Sequence, residues 1–141
     1  MRVSARNVFE GTVKSVLKGL VNAQITLVLQ GGETIIAVIT NTSAERLGLK
    51  EGSNAYAILK SSWVILGQDL DAGKISARNV LRGTVSGVHE GAVNNEVAVT
   101  LSGGSTLTAI ITKESSHALG LKEGGGIFAA FKANNVILAV D

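Results

Sequence analysis

Ten side chains that donate hydrogen bonds or carry positive charge recur in matched pairs: Ser4 and Arg6 with Ser76 and Arg78, Thr40 and Ser43 with Thr112 and Ser115, Lys60 with Lys132. Guanidinium and ammonium groups, hydroxyls and free backbone N–H groups at a helix start are the components of an oxyanion site. A dianion leaving water needs its oxygen lone pairs met by donors and its charge offset by cations. Carboxylates would repel it, and none stands at these matched positions. Local capping is the other reading of the same residues, with Arg6 closing a strand end and Ser43 capping a helix.

The groups that catalysis requires do not recur in this way. His89 and His117 correspond to Leu17 and Glu45 in the other copy, so the Ser and Thr residues lack a repeated base. Glu51 and Glu123 do recur, but each sits beside a lysine in a turn. The Gly31-Gly32 and Gly103-Gly104 pairs lack the Lys-Ser/Thr of a phosphate loop and read as turns. The absence of cysteine excludes disulfides and Cys-ligated metal, and no residue set is expected to ligate a metal cation directly. A formal net charge of +2 gives no general field for nucleic acid. These features point to a binding protein and not to an enzyme.

The donors are positioned by a duplicated unit. Ser4-Ala5-Arg6-Asn7-Val8 returns as Ser76-Ala77-Arg78-Asn79-Val80, an offset of about 72 positions, and roughly half of the aligned positions are identical without a gap. The expected domains are residues 1–69 and 70–141, joined near Asp69 to Lys74. Within a copy, Val21, Ala23, Ile25, Leu27 and Leu29 alternate with polar residues, as do Val93, Val97, Val99 and Leu101 in the second copy. The Gly-Gly hairpin leads into β-rich runs over Thr34 to Thr40 and Thr106 to Thr112. A short helix follows, with Thr42 and Glu45 at capping-box spacing and Gly48 at its left-handed end. Strands over Ala55 to Lys60 and Trp63 to Leu66 are expected to close the copy. The fold class is therefore all-β: a tandem pair of small five-stranded OB-like barrels, each with one short helix. A unit of about 70 residues buries a modest core, which favours self-association.

No apolar stretch approaches the roughly 20 residues of a membrane helix, and Met1 to Asn7 lack the apolar region of a secretory signal. A cytoplasmic location without membrane partners is the resulting expectation.

The Ser-Ala-Arg-Asn opening, Gly-Thr-Val, Gly-x-Val-Asn, Leu-Gly-Leu-Lys-Glu-Gly and the closing Lys-Ser-Ser-Trp-Val-Ile-Leu together resemble the molbindins, the Mop or TOBE-type molybdate-binding domains. The resemblance implies a non-catalytic store for molybdate, with tungstate as competitor, built as a homotrimer of two-domain chains. It places one class of pocket at Ser4 and Arg6 of one unit with Thr40, Ser43, Lys60 and Ser61 of a neighbour. The duplicate uses Ser76, Arg78, Thr112, Ser115, Lys132 and Ala133. A second class, on the threefold axis, maps to Gly19, Val21 and Asn22 and to Gly91, Val93 and Asn94. Two departures stand out: Ala133 replaces the Ser61 hydroxyl, and Asn134-Asn135 replaces Ser62-Trp63. A single-stranded nucleic-acid binder, or a regulatory module acting on a partner, is the alternative.

Overall fold

The computed structural model describes residues 1–141. Its first half runs β1 (Asn7–Lys18), β2 (Asn22–Leu29), β3 (Thr34–Thr40), α1 (Asn41–Arg46), β4 (Asn54–Leu59), a 3-10 turn (Ser61–Trp63) and β5 (Ile65–Gly67). The second half repeats it as β6 (Asn79–Glu90), β7 (Asn94–Leu101), β8 (Thr106–Thr112), α2 (Lys113–Leu119), β9 (Gly126–Phe131), a 3-10 turn (Ala133–Asn135) and β10 (Ile137–Ala139). The architecture is two five-stranded antiparallel sheets, each with one short helix, in the tandem all-β arrangement that the sequence predicts.

The long first strand of each half organises its sheet. β1 pairs with β2 along one edge and β4 along the other, with a register shift between Val13 and Ser15 that bends it. Gly11 permits this close packing, since a Cβ there would lie 2.6 Å from the Val28 carbonyl oxygen. Alternation then decides burial: Ala23, Ile25, Leu27 and Leu29 face inward along β2. Val21 and Val93, expected on the inward face, instead lie in the hairpin turns before β2 and β7 and are exposed. In the second copy Asn95, a polar residue, is buried in β7.

The sheets do not close as the sequence suggests. Their strand orders are β10-β4-β1-β2-β3 and β5-β9-β6-β7-β8, so each half receives its fifth strand from the other. β5 pairs with β9 through Leu66 opposite Ala129, and β10 pairs with β4 through Leu138 opposite Ala57. Alternation specifies which face of a strand is buried, but both halves offer the same edge, so it cannot tell a strand's own sheet from its duplicate. The exchange buries Val64, Leu66, Val136 and Leu138 in one continuous core spanning both halves. Burial of side chains of this size contributes roughly 1.5–3 kcal/mol each.

Two buried asparagines bind the halves further. The Asn7 amide donates to the Thr108 carbonyl at 2.8 Å and its oxygen accepts from the Thr108 N–H at 2.7 Å. Asn79 does the same to Ile36, at 2.8 Å for both bonds. Each side chain thus completes a strand-like pair with the backbone of the opposite half, directly after Arg6 or Arg78.

The helix caps also differ from the sequence expectation. The N-cap of α1 is Thr40, whose hydroxyl oxygen accepts from the Ser43 N–H at 3.1 Å. Thr42 lies inside the helix. The extended dihedrals at the end of β3 place Thr40 where its oxygen reaches back, and Thr112 repeats this with Ser115 at 3.0 Å. Gly48 does take the left-handed conformation, at φ 64°.

Candidate functional site

The exchange of strands creates two equivalent seams between the halves, and the recurring donors gather there. Ser4, Ala5 and Arg6, leading into β1, meet Lys60, Ser61 and Ser62, leaving β4, around a cavity of about 260 Å³ whose far wall is Ile110 on β8. The ladder explains the meeting, since Asn7 pairs with Leu59 and so sets Arg6 beside Lys60. Ser62 also lines an adjoining cleft of about 400 Å³ with Asn94, Thr112 and Ser115.

Within a single chain, the donors at the two ends of one half come together. Lys60 and Ser61 share a cavity with Ser4 and Arg6 of their own half, and Thr112 and Ser115 of the other half line the adjoining cleft with Ser62. Thr40 and Ser43 lie instead at the end of β3, the strand against which the Ala133–Asn135 turn packs. That turn directly follows Lys132, so β3 of one half lies beside the closing turn of the other.

Individual donors are set up differently. Ser61 lines the cavity as a residue and is only 5% exposed, and its hydroxyl oxygen is buried without a hydrogen-bond partner. A buried hydroxyl without a partner costs about 1–3 kcal/mol. In the other seam Ala133, equally buried, carries no such group. Thr40 donates its hydroxyl proton to Ser43 Oγ at 2.9 Å, and Thr112 to Ser115 Oγ at 2.8 Å. Each serine keeps its own hydroxyl proton for an outside acceptor. Lys60 lies 5.2 Å from the centre of the Trp63 ring, a cation–π contact for which Asn135 offers no equivalent.

The arginines have partners that sequence reasoning missed. Arg6 is ion-paired with Glu96 of β7, whereas Arg78 donates to the Gln24 side-chain oxygen on β2 at 2.6 Å. Glu96 and Gln24 occupy the same position of the duplication. The signal was present, as a charge difference between otherwise matched outward positions. The expectation that no carboxylate accompanies the donors holds for the matched positions but not for the assembled seam.

The hairpins carrying the second candidate class lie elsewhere. Gly19 N–H donates to the Asn22 carbonyl at 2.7 Å and Gly91 N–H to that of Asn94 at 3.0 Å, so both glycine donors close their own turns. Carbonyls of Val21 and Val93 accept from the first residues of α1 and α2 at 2.8 and 2.9 Å, fixing each hairpin to its helix. Leu20 is fully exposed, with Val21 and Val93 at 69% and 73%. Both histidines are exposed, and His117 lies 3.6 Å from Glu90. No helix is long and apolar enough to cross a membrane.

A family model described as the TOBE domain matches residues 3–66 and 75–138. The chain is 44% identical over 140 residues to the molybdenum transport protein ModE of Herbaspirillum seropedicae, covering 99% of this chain and 52% of that protein. It is 36% identical over the same length to the DNA-binding transcriptional dual regulator ModE of Escherichia coli K12, again covering 52% of the relative. The chain thus spans about half the length of these curated relatives. Among solved structures it resembles the cytoplasmic molybdate-binding protein ModG, in a crystal form with molybdate bound, at a TM-score of 0.94 and 45% identity over 100% of both chains.

Proposed function

The chain belongs to the TOBE-domain family, with two such domains in tandem, and from that premise we propose that it binds molybdate reversibly at the seams between its halves. The observation that carries this reading is the buried, unpartnered Ser61 hydroxyl in a cavity shared with Ser4, Arg6 and Lys60. A small dianion there gains two cations and several hydroxyls and satisfies a donor that is otherwise orphaned. The second seam offers Ser76, Arg78, Lys132, Thr40 and Ser43, with Ala133 contributing no hydroxyl. Similarity to a cytoplasmic molybdate-binding protein supports the same ligand and a cytoplasmic setting.

No covalent step is needed, so the protein acts as a store that releases anion as the free pool falls. Tungstate, with nearly the same size and charge, competes on equal terms, whereas smaller sulfate leaves donors poorly met. The assembly is a homotrimer joined through the exposed hairpins, where Leu20, Val21 and Val93 present apolar surface to solvent. Gly19, Val21 and Asn22 with Gly91, Val93 and Asn94 then surround further anions on the axis. Native mass spectrometry with and without molybdate tests subunit number and anion count together. Calorimetric titration of Arg6→Ala plus Arg78→Ala is expected to show the interface sites lost, and unchanged binding would refute the assignment.

The regulator from Escherichia coli favours a second reading, in which the same anion sites serve to sense molybdate and signal to a partner. Direct single-strand binding has less support, because Phe9 and Phe131 are buried and Trp63 is the most exposed aromatic residue, leaving few stacking platforms. A mobility shift with labelled DNA, with and without molybdate, separates sensing at nucleic acid from storage.

A further inference from the structure

The two seams carry the same cations but not the same neighbours. Glu96 lies across the ladder from Ile110, the residue that walls the Arg6 cavity. Gln24 lies across from Val38, the matching position of the other seam. We propose that Glu96 is a built-in competitor for Arg6, so that the Arg78 seam fills with anion first and the Arg6 seam acts as the weaker reserve. This inference rests on the molybdate reading given above.

The chemistry of the two side chains separates the seams. The Glu96 carboxylate already occupies the Arg6 guanidinium with a full negative charge, and an arriving dianion must displace it or tolerate it at close range. Gln24 is neutral and engages Arg78 only through its oxygen. A rotation of its amide presents an N–H donor to an anion, which a carboxylate cannot do. Lys60 adds to the contrast, because it rests over the Trp63 ring while Lys132 has no aromatic neighbour at that position. Both cations of the Arg6 seam are thus engaged before any ligand arrives.

The Ser61 hydroxyl, absent at Ala133, works in the opposite direction. It adds one hydrogen bond, whereas Glu96 sets a whole charge against both charges of the ligand. Solvent moderates the contest, since the side chains of Arg6 and Glu96 are 57% and 33% exposed. The net difference is expected to be about two- to fivefold in affinity and to shrink as salt is added.

Isothermal titration with sodium molybdate at low and high salt tests this on the full chain. Wild type is expected to show two interface classes, of which Arg78→Ala removes the tighter and Arg6→Ala the weaker. Glu96→Gln should raise the weaker class by about two- to fivefold and bring the seams together. Gln24→Glu should lower the tighter class by a similar factor. Each exchange installs the residue that the other half already carries, so the fold is retained, which circular dichroism verifies. Binding that Glu96→Gln leaves unchanged, or loss of the tighter class in Arg6→Ala, overturns the proposal while leaving molybdate binding intact. Absence of molybdate uptake by wild type overturns the functional reading, and this proposal with it.

Discussion

The two halves are closest where backbone geometry is set and furthest apart where charge is set. Their hairpins share one register, Asn22 opposite Thr40 and Asn94 opposite Thr112, and Asn7 and Asn79 make the same paired bonds across the seams. Side chains facing solvent or the cavities follow another rule. Lys18 lies 3.6 Å from Glu45, and the corresponding contact in the second half, Glu90 to His117, has the same length with the carboxylate moved to the other partner. Arg6 meets a carboxylate where Arg78 meets an amide. Duplication has therefore held the frame fixed while leaving the electrostatics of each seam free to differ.

The largest expected effect breaks what the halves share. Asn7→Ala removes both partners of Thr108, and Asn79→Ala both partners of Ile36. Each backbone group left without a partner costs about 1–3 kcal/mol. Both variants are expected to lower stability in denaturant unfolding by similar amounts. A large loss from one and none from the other would show that the seams are not mechanically equivalent.

A smaller effect should separate the seams by their hydroxyls. Ser61→Ala removes an unpartnered buried group, so the anion-free protein is expected to keep or gain stability, while its seam loses one donor hydrogen bond, worth about 0.5–1 kcal/mol. Ala133→Ser should do the reverse, strengthening the Arg78 seam. Thermal shifts measured with and without molybdate read both terms, since a ligand stabilises only the state that binds it. A Ser61→Ala protein that is destabilised without anion and binds normally would make Ser61 a packing residue.

Much of this frame was legible in the sequence because alternation and a gapless repeat report directly on burial and on duplication. Ala23 to Leu29 face inward as their spacing requires, and the inward phase of Phe9, Gly11 and Val13 also contains Asn7. That asparagine was readable as a buried polar group in need of a partner. The strand exchange was not legible, because β5 and β10 present the same pattern to either sheet. The Thr40 cap was displaced from Thr42 because the true cap depends on where β3 ends. At the seams, the repeat displayed the donors but not their opposing neighbours. Glu96 becomes relevant to Arg6 only when β7 of one half lies beside the opening of the other.

Trp63 offers a finer probe of the same contrast. It is the only tryptophan, and it lies under Lys60 in the Arg6 seam. Its fluorescence is therefore expected to follow that seam alone and to change late in a molybdate titration, after the calorimetric signal of the tighter class has saturated. Trp63→Asn, which copies the other half, should release Lys60 from a contact worth about 0.5–1 kcal/mol and strengthen the seam by about two- to fivefold. Fluorescence that changes with the first equivalents would reverse the order of filling.

The smallest expected effect concerns how firmly the exchanged strands are tied. Tyr56 on β4, where the other half has Phe128, donates its hydroxyl to Asp141 Oδ2 at 3.0 Å, just beyond β10. That hydrogen bond, then the charges of Asp141 and Glu10, hold the phenol above its ordinary pKa. A phenol raised in the folded state adds stability that is fully present below its unfolded value of about 10 and is lost as pH rises through the folded value. Tyr56 is open to solvent, so the contribution is slight. Tyr56→Phe is expected to lower the thermal midpoint a little at about pH 8, and the gap is expected to close or reverse once the phenol of wild type has ionised at higher pH. A gap that persists at high pH would mean that the phenol–carboxylate bond is not what ties this tail. β10 would then be held on β4 by its ladder and by the burial of Leu138.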